Sequence, residues 1–189
     1  GSRAFKGPDM LQIDLTDHCN NNCIACWCNS PLLSRERLAK PKHVLSKDLV
    51  KGVIAEARDL GLKEIFFSGG GEPFMHPDIL EIIAYAKKKD ISCTVNTNFT
   101  LVDEEIIGRL IDLGLDNLTV SAWSGTAKVY KLMHPNRSEE DFYKLRKRLT
   151  ELNSRKDIYP RVKVYNVICS LNYDQIKPIL DFAEQTRSD

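Results

Sequence analysis

Short apolar segments alternate with amphipathic helical stretches along most of this chain, and that alternation limits the fold more than any other feature. Strands are expected at about residues 11–16, 63–68, 92–98, 117–123 and 161–168. The first helix starts at Ser46, a good N-cap, carries Leu49, Val53, Ala57 and Leu60 at helical spacing, and stops at Gly61. A second spans 78–89 through Ile79, Ile82, Ile83 and Ala86. Asp103 caps a third, with Glu104 and Glu105 in its first turn, Val102 and Ile107 placed as a hydrophobic staple, and Gly114 as its stop. The fourth crossover is longer: a short helix near 126–133, the turn His134-Pro135-Asn136, then a helix opened by Ser138 with Asp141 in capping-box position. A last helix covers about 174–187, with Pro178 in or just after its first turn, where a missing N–H costs little. Such units build an α/β fold with a parallel sheet covered by helices, and right-handed crossovers place every strand's C-terminal end on one rim.

Two segments that carry chemistry fall on that rim. Cys19-Asn20-Asn21-Asn22-Cys23-Ile24-Ala25-Cys26 follows the first strand with C-x3-C-x2-C spacing. Three thiolates on one loop can hold a cubane iron–sulfur cluster while leaving one iron without a protein ligand. The same spacing also suits a tetrahedral zinc site, and Cys28 could supply a fourth ligand, though it lies too close to Cys26 for easy convergence. Ile65-Phe66-Phe67-Ser68-Gly69-Gly70-Gly71-Glu72-Pro73-Phe74 runs from the second strand into glycines, an acid and a proline. Glycines let a ligand approach the main chain, and a carboxylate beside them can receive an ammonium group. That combination fits an amino-acid-like ligand.

With both motifs at successive strand ends, the chain resembles the radical S-adenosylmethionine (radical SAM) superfamily, closest in motif style to the branch of molybdenum-cofactor biosynthesis and SPASM-type peptide-modifying enzymes. The resemblance implies a partial parallel (β/α) barrel with five of its usual six strand–helix units present. It implies a [4Fe-4S] cluster on Cys19, Cys23 and Cys26, with the amino and carboxylate groups of S-adenosylmethionine on the open iron. Gly69, Gly70, Gly71 and Glu72 would contact the methionine end. Reductive cleavage would then give methionine and a 5′-deoxyadenosyl radical that takes hydrogen from a peptide or small metabolite. The large residue that relatives carry before the third cysteine is Ala25 here, so Trp27 is the candidate to stack on adenine. Thr97 and Asn98, Ser121, and Lys163 or Asn166 are candidate contacts to ribose, carboxylate or adenine. His134 stands where some relatives carry an arginine.

Composition sets the remaining bounds. The 189 residues, 42% hydrophobic and 28% charged, suffice for one substantial core, expected over residues 11–189. Residues 1–10 read as an expression scar, Gly1-Ser2, and an N-terminal extension. No apolar run approaches a membrane span and no export signal is visible, so a cytoplasmic protein is expected. Six cysteines then read as metal ligands and reduced thiols, with Cys93 and Cys169 as core thiols on strands. The net charge of +1 disfavours nucleic acid as a partner, and with it a radical enzyme acting on RNA. The basic run from Arg35 to Lys42 lies in a loop near the cysteines, a solvated segment or a meeting point for an anionic substrate. Expected partners are a small-molecule or peptide substrate and a one-electron donor such as flavodoxin or ferredoxin. The competing class is a non-catalytic iron–sulfur or zinc module for electron transfer or assembly. The absent sixth unit and absent second cysteine-rich cluster suggest a core cut from a longer protein.

Overall fold

The structure, a computed structural model, describes residues 7–189; Gly1 and Ser2 lie outside the described residues. Five parallel strands form one sheet in sequential order: β1 (Met10–Asp14), β2 (Glu64–Ser68), β3 (Ser92–Thr97), β4 (Asn117–Ser121) and β5 (Arg161–Tyr165). The sheet is not closed, and β1 and β5 are its edges. Register runs Ile13 to Phe67, Phe67 to Val95, Val95 to Leu118 and Leu118 to Val162, so one row of apolar side chains crosses the whole sheet. Those residues, with Leu15, Ile65, Cys93 and Val120, are buried, in one core with residues of the covering helices. The opposite, concave face carries Gln12, Ser68, Asn96, Ser121 and Tyr165, because side chains alternate along a strand.

The helices are α1 (Arg35–Leu38), α2 (Lys47–Asp59), α3 (Ile79–Lys88), α4 (Glu104–Asp112), α5 (Ala127–Met133), α6 (Glu139–Arg155) and α7 (Ile176–Gln185). The capping residues act as expected. Ser46 Oγ accepts from Leu49 N, Asp103 Oδ1 accepts from Ile106 N at 2.9 Å, and Ser138 and Asp141 form the reciprocal capping box. Val102 and Ile107 are both fully buried, as a staple requires. α1 has no buried residue, so it left no apolar period to read. No helix among the described residues is long and apolar enough to cross a membrane.

Strand ends are where structure and expectation part. β1 stops at Asp14 because the chain then pairs Thr16 with Val44 in an isolated antiparallel bridge. β4 stops at Ser121, since Trp123 takes a left-handed backbone, φ +55°. β5 stops at Tyr165, three residues early. Cys169 is therefore not a core thiol on a strand: it is half-buried in the following loop, with its N–H donated to Asn172 Oδ1 at 2.7 Å. Cys93 is buried on β3 as expected.

Candidate active site

At the end of β2 the chain turns at Gly69, φ +124°, where a Cβ would lie 2.1 Å from the Asp14 carboxyl carbon. Only glycine fits that backbone and that contact. Gly71 is equally constrained, since its Cβ would sit 2.3 Å from the main-chain oxygens of Thr16 and His18. The glycine loop thus lies on the backbone that leads into the cysteines, and Glu72 N donates to His18 O at 2.8 Å to hold it there.

Glu72 is buried and joins this loop to the end of β3. Its Oε1 accepts from Thr97 Oγ1 at 2.6 Å and Phe74 N at 3.2 Å, and its Oε2 accepts from Asn98 N at 2.7 Å. Burial outweighs those three hydrogen bonds and pushes its carboxyl up to about 7. A carboxylate has about four acceptor positions. Three are used, and the remaining one is on Oε2.

The cysteine loop is gripped from the other side by the turn after α5. Asn136 N and Asn22 N each donate to the other's Oδ1, at 3.0 and 3.1 Å, and Asn136 Nδ2 donates to Asn20 O at 2.9 Å. Arg137 Nε donates to Asn21 Oδ1 at 2.5 Å and its Nη2 to Asn20 O at 2.7 Å. Asn98 Nδ2 donates to Asn20 Oδ1 at 2.8 Å. Every asparagine between Cys19 and Cys23 is therefore held by a partner distant in sequence. Replacing Arg137 with Ala removes its two charge-assisted bonds to the loop and a longer one to Thr100 Oγ1, at about 1.5–3 kcal/mol for each such bond where buried. Once the loop is loaded with a cluster, the expected result is several-fold faster loss of iron to a chelator with unchanged iron stoichiometry at the start, and partial rescue by Arg137→Lys.

His134, at the end of α5, sits on Cys23. Its Nε2 lies 3.1 Å from Ala122 O, which can only accept, so Nε2 carries the ring proton. Nδ1 then accepts from the Cys23 thiol at 3.0 Å. Burial lowers the imidazole to about 4 and raises the thiol to about 12, so this is a neutral pair. Backbone amides donate to the sulfurs of the other two cysteines: Asn21 N to Cys19 Sγ at 3.4 Å, and Cys28 N and Asn29 N to Cys26 Sγ at 3.4 and 3.2 Å.

Cys19, Cys23 and Cys26 line one cavity of about 300 Å³ on the concave side of the sheet, with Trp27, Gly69, Gly71, Glu72, Thr97, Asn98 and Ser121. Gly70, Lys163 and Asn166 do not line it. Gly70 faces a separate cleft, and Lys163 lies nearer the start of β5 than Tyr165, which takes the cavity position on that strand. Gln12, Asn96, Trp123 and Tyr165 also line it; alternation in the sequence puts Asn96 and Trp123 on the faces shared with Asn98 and Ser121, whereas Gln12 and Tyr165 escaped the sequence reading. Alternation along β5 was the available signal for Tyr165, two residues after Lys163 on the same face. Several polar groups there bond one another: Asn96 Nδ2 donates to Ser68 Oγ at 3.2 Å and Ser121 Oγ to Asn96 Oδ1 at 3.1 Å.

The donor set fits a four-iron cluster. Among the described residues no three His, Cys, Asp or Glu side chains are arranged to hold one metal ion. The cysteines surround a space, as ligands to separate irons of a cubane must, and amide N–H groups point at their sulfurs. Cys28, a possible fourth ligand for zinc, lines the separate cleft.

Comparison with known proteins identifies the family of the chain. The family model of the radical SAM superfamily matches residues 13–183. The chain is 33% identical over 108 residues to an Fe-coproporphyrin III synthase of Methanosarcina barkeri, covering 57% of this chain and 25% of that protein. It is 32% identical over 178 residues to a probable GTP 3′,8-cyclase of Pyrococcus abyssi, covering 92% of this chain and 52% of that one. Thus it spans about half or less of the length of these curated relatives. Among solved structures, Streptococcus suis SuiB bound to precursor peptide SuiA superposes with a TM-score of 0.77 at 19% identity, over 97% of this chain and 38% of SuiB. SuiB bound to S-adenosylmethionine gives 0.75.

Proposed function

This chain belongs to the radical SAM superfamily, and on that premise we propose that it is a catalytic core that cleaves S-adenosylmethionine reductively and passes the radical to a peptide or small metabolite. The observation that carries the reading is the shared cavity: Cys19, Cys23 and Cys26 face the same space as Glu72, Thr97 and Asn98. When bound to the three cysteines, a [4Fe-4S] cluster supplies the single electron that breaks the carbon–sulfur bond, giving methionine and a 5′-deoxyadenosyl radical.

The chain's own residues hold and shield the reactants. Glu72, through its free Oε2 position, receives the methionine ammonium, beside the main chain of Gly69 and Gly71, which lines the same cavity. Trp27 offers a ring beside Cys26 for the adenine. Ser121, Asn96 and Tyr165 on the concave face are placed to orient the ribose or the substrate, while Lys163, Asn166 and Gly70 stand outside the cavity. A peptide substrate is favoured because SuiB, the solved structure that superposes with a TM-score of 0.77, is bound to a precursor peptide. A reduced cluster and free thiols suit a cytoplasmic setting with a one-electron donor such as flavodoxin or ferredoxin.

Anaerobic reconstitution with iron and sulfide, followed by dithionite and S-adenosylmethionine, tests the reading. The expected product is 5′-deoxyadenosine in step with methionine. A reconstituted chain that holds iron and forms neither product is an electron-transfer or assembly module.

A further inference from the structure

A second cleft lies on the far side of the cysteine loop, lined by Asp17, Cys28, Asn29, Arg37, Lys40 and Lys42, with Trp27 shared between it and the cysteine cavity. Three cations face one carboxylate there, in a chain whose net charge is only +1. By contrast, among the described residues the only carboxylate, ammonium or guanidinium lining the cysteine cavity is that of Glu72. The Cys26–Asn29 segment borders both spaces, with Cys26 on the cysteine cavity and Cys28 and Asn29 on the cleft. Asn29 donates its N–H to Cys26 Sγ at 3.2 Å and its Nδ2 to Gly70 O at 2.8 Å, and Lys42 Nζ donates to Asn29 Oδ1 at 2.6 Å. A group seated against Lys42 is thus two hydrogen bonds from a cluster-ligand sulfur.

An anionic substrate in this cleft would be separated from the reacting carbon by the Cys26–Asn29 segment. Hydrogen-atom transfer needs contact, whereas an electron crosses a few ångströms of protein. The cleft is also lined by exposed apolar groups, Trp27 at 65% and Leu38 at 40% exposure, beside the cations. Apolar groups mixed with cations fit a protein surface better than an inorganic anion.

We infer that this cleft is the docking surface for an acidic electron-carrier protein, which hands one electron through the Cys26–Asn29 wall. The carrier is oxidised by one electron and the cluster reduced by one. The inference rests on the proposed radical SAM activity but concerns the opposite side of the loop, so the two fail separately.

The test uses an acidic flavodoxin as probe. Calorimetric titration of cluster-loaded and cluster-free chain is expected to show binding at low salt that weakens as salt rises. The double variant Arg37→Glu/Lys40→Glu is expected to bind about tenfold more weakly and to slow cluster reduction by reduced flavodoxin in parallel. A control pair on α6, Lys144→Glu/Lys147→Glu, is expected to change neither. Reduction by dithionite and dithionite-driven cleavage should stay at the parent level in both variants, which keeps this test apart from that of the proposed function. The docking assignment is overturned if the cleft variant binds flavodoxin as the parent does, if the control pair loses as much, or if phosphate or a short oligonucleotide saturates the cleft and displaces flavodoxin.

Discussion

Cys23→Ala is expected to abolish stable four-iron cluster binding and all cleavage of S-adenosylmethionine, and Cys19→Ala and Cys26→Ala should do the same. Each removes one of three thiolates around a shared space, and two cannot hold a cubane against competing thiols. Cys23→Ala also strips His134 Nδ1 of its buried partner, so this variant should be the least stable of the three. Cys28→Ala, Cys93→Ala and Cys169→Ala should keep the parent's iron stoichiometry. Cys28 lines the outer cleft, Cys93 is buried behind β3, and Cys169 packs its Sγ 3.8 Å from Met133 Sδ. Iron and sulfide analysis with electron paramagnetic resonance of the reduced proteins decides the matter. An intact cluster in folded Cys23→Ala, or a parent that retains zinc alone after anaerobic reconstitution, refutes the assignment.

Much of the architecture was legible because the burial pattern repeats the sequence pattern. Ile13, Val95, Leu118 and Val162 alternate with polar neighbours, and the caps at Ser46, Asp103 and Ser138 are local chemistry. Strand ends were not legible, because they depend on contacts made elsewhere: the Thr16–Val44 bridge and the left-handed backbone at Trp123. The cysteines and the glycine–glutamate segment could be placed on one rim from order alone. The residues that grip the loop could not. Asn20, Asn21 and Asn22 are ordinary loop residues until Asn136 and Arg137 arrive from more than a hundred positions away. Thr97 and Asn98 show the converse: both line the cavity, yet the Thr97 hydroxyl is spent on Glu72 and the Asn98 amide on Asn20.

Glu72→Gln is expected to weaken S-adenosylmethionine binding about tenfold to a hundredfold at pH 8 while leaving the cluster in place. A charge-assisted contact to the methionine ammonium is worth about 1.5–3 kcal/mol, and Glu72 does not touch the cysteine sulfurs. The pH dependence gives a sharper signature. Burial raises the folded carboxyl to about 7 from an ordinary 4.5. Its contribution to stability is therefore complete below the ordinary value and is lost as pH rises through about 7. Ligand binding has the opposite sign, because the ammonium needs the carboxylate: affinity should rise as pH increases through about 7 and binding should release a proton. Glutamine cannot titrate, so the slope between pH 6 and 8 should vanish in Glu72→Gln. The substitution also sets an amide NH2 against Asn98 N–H or against the Phe74 N–H, leaving a buried donor unpaired, so circular dichroism and thermal melting must first show a folded variant. A folded Glu72→Gln with parental affinity and a parental pH slope would leave the carboxylate with one task, joining the glycine loop to the end of β3.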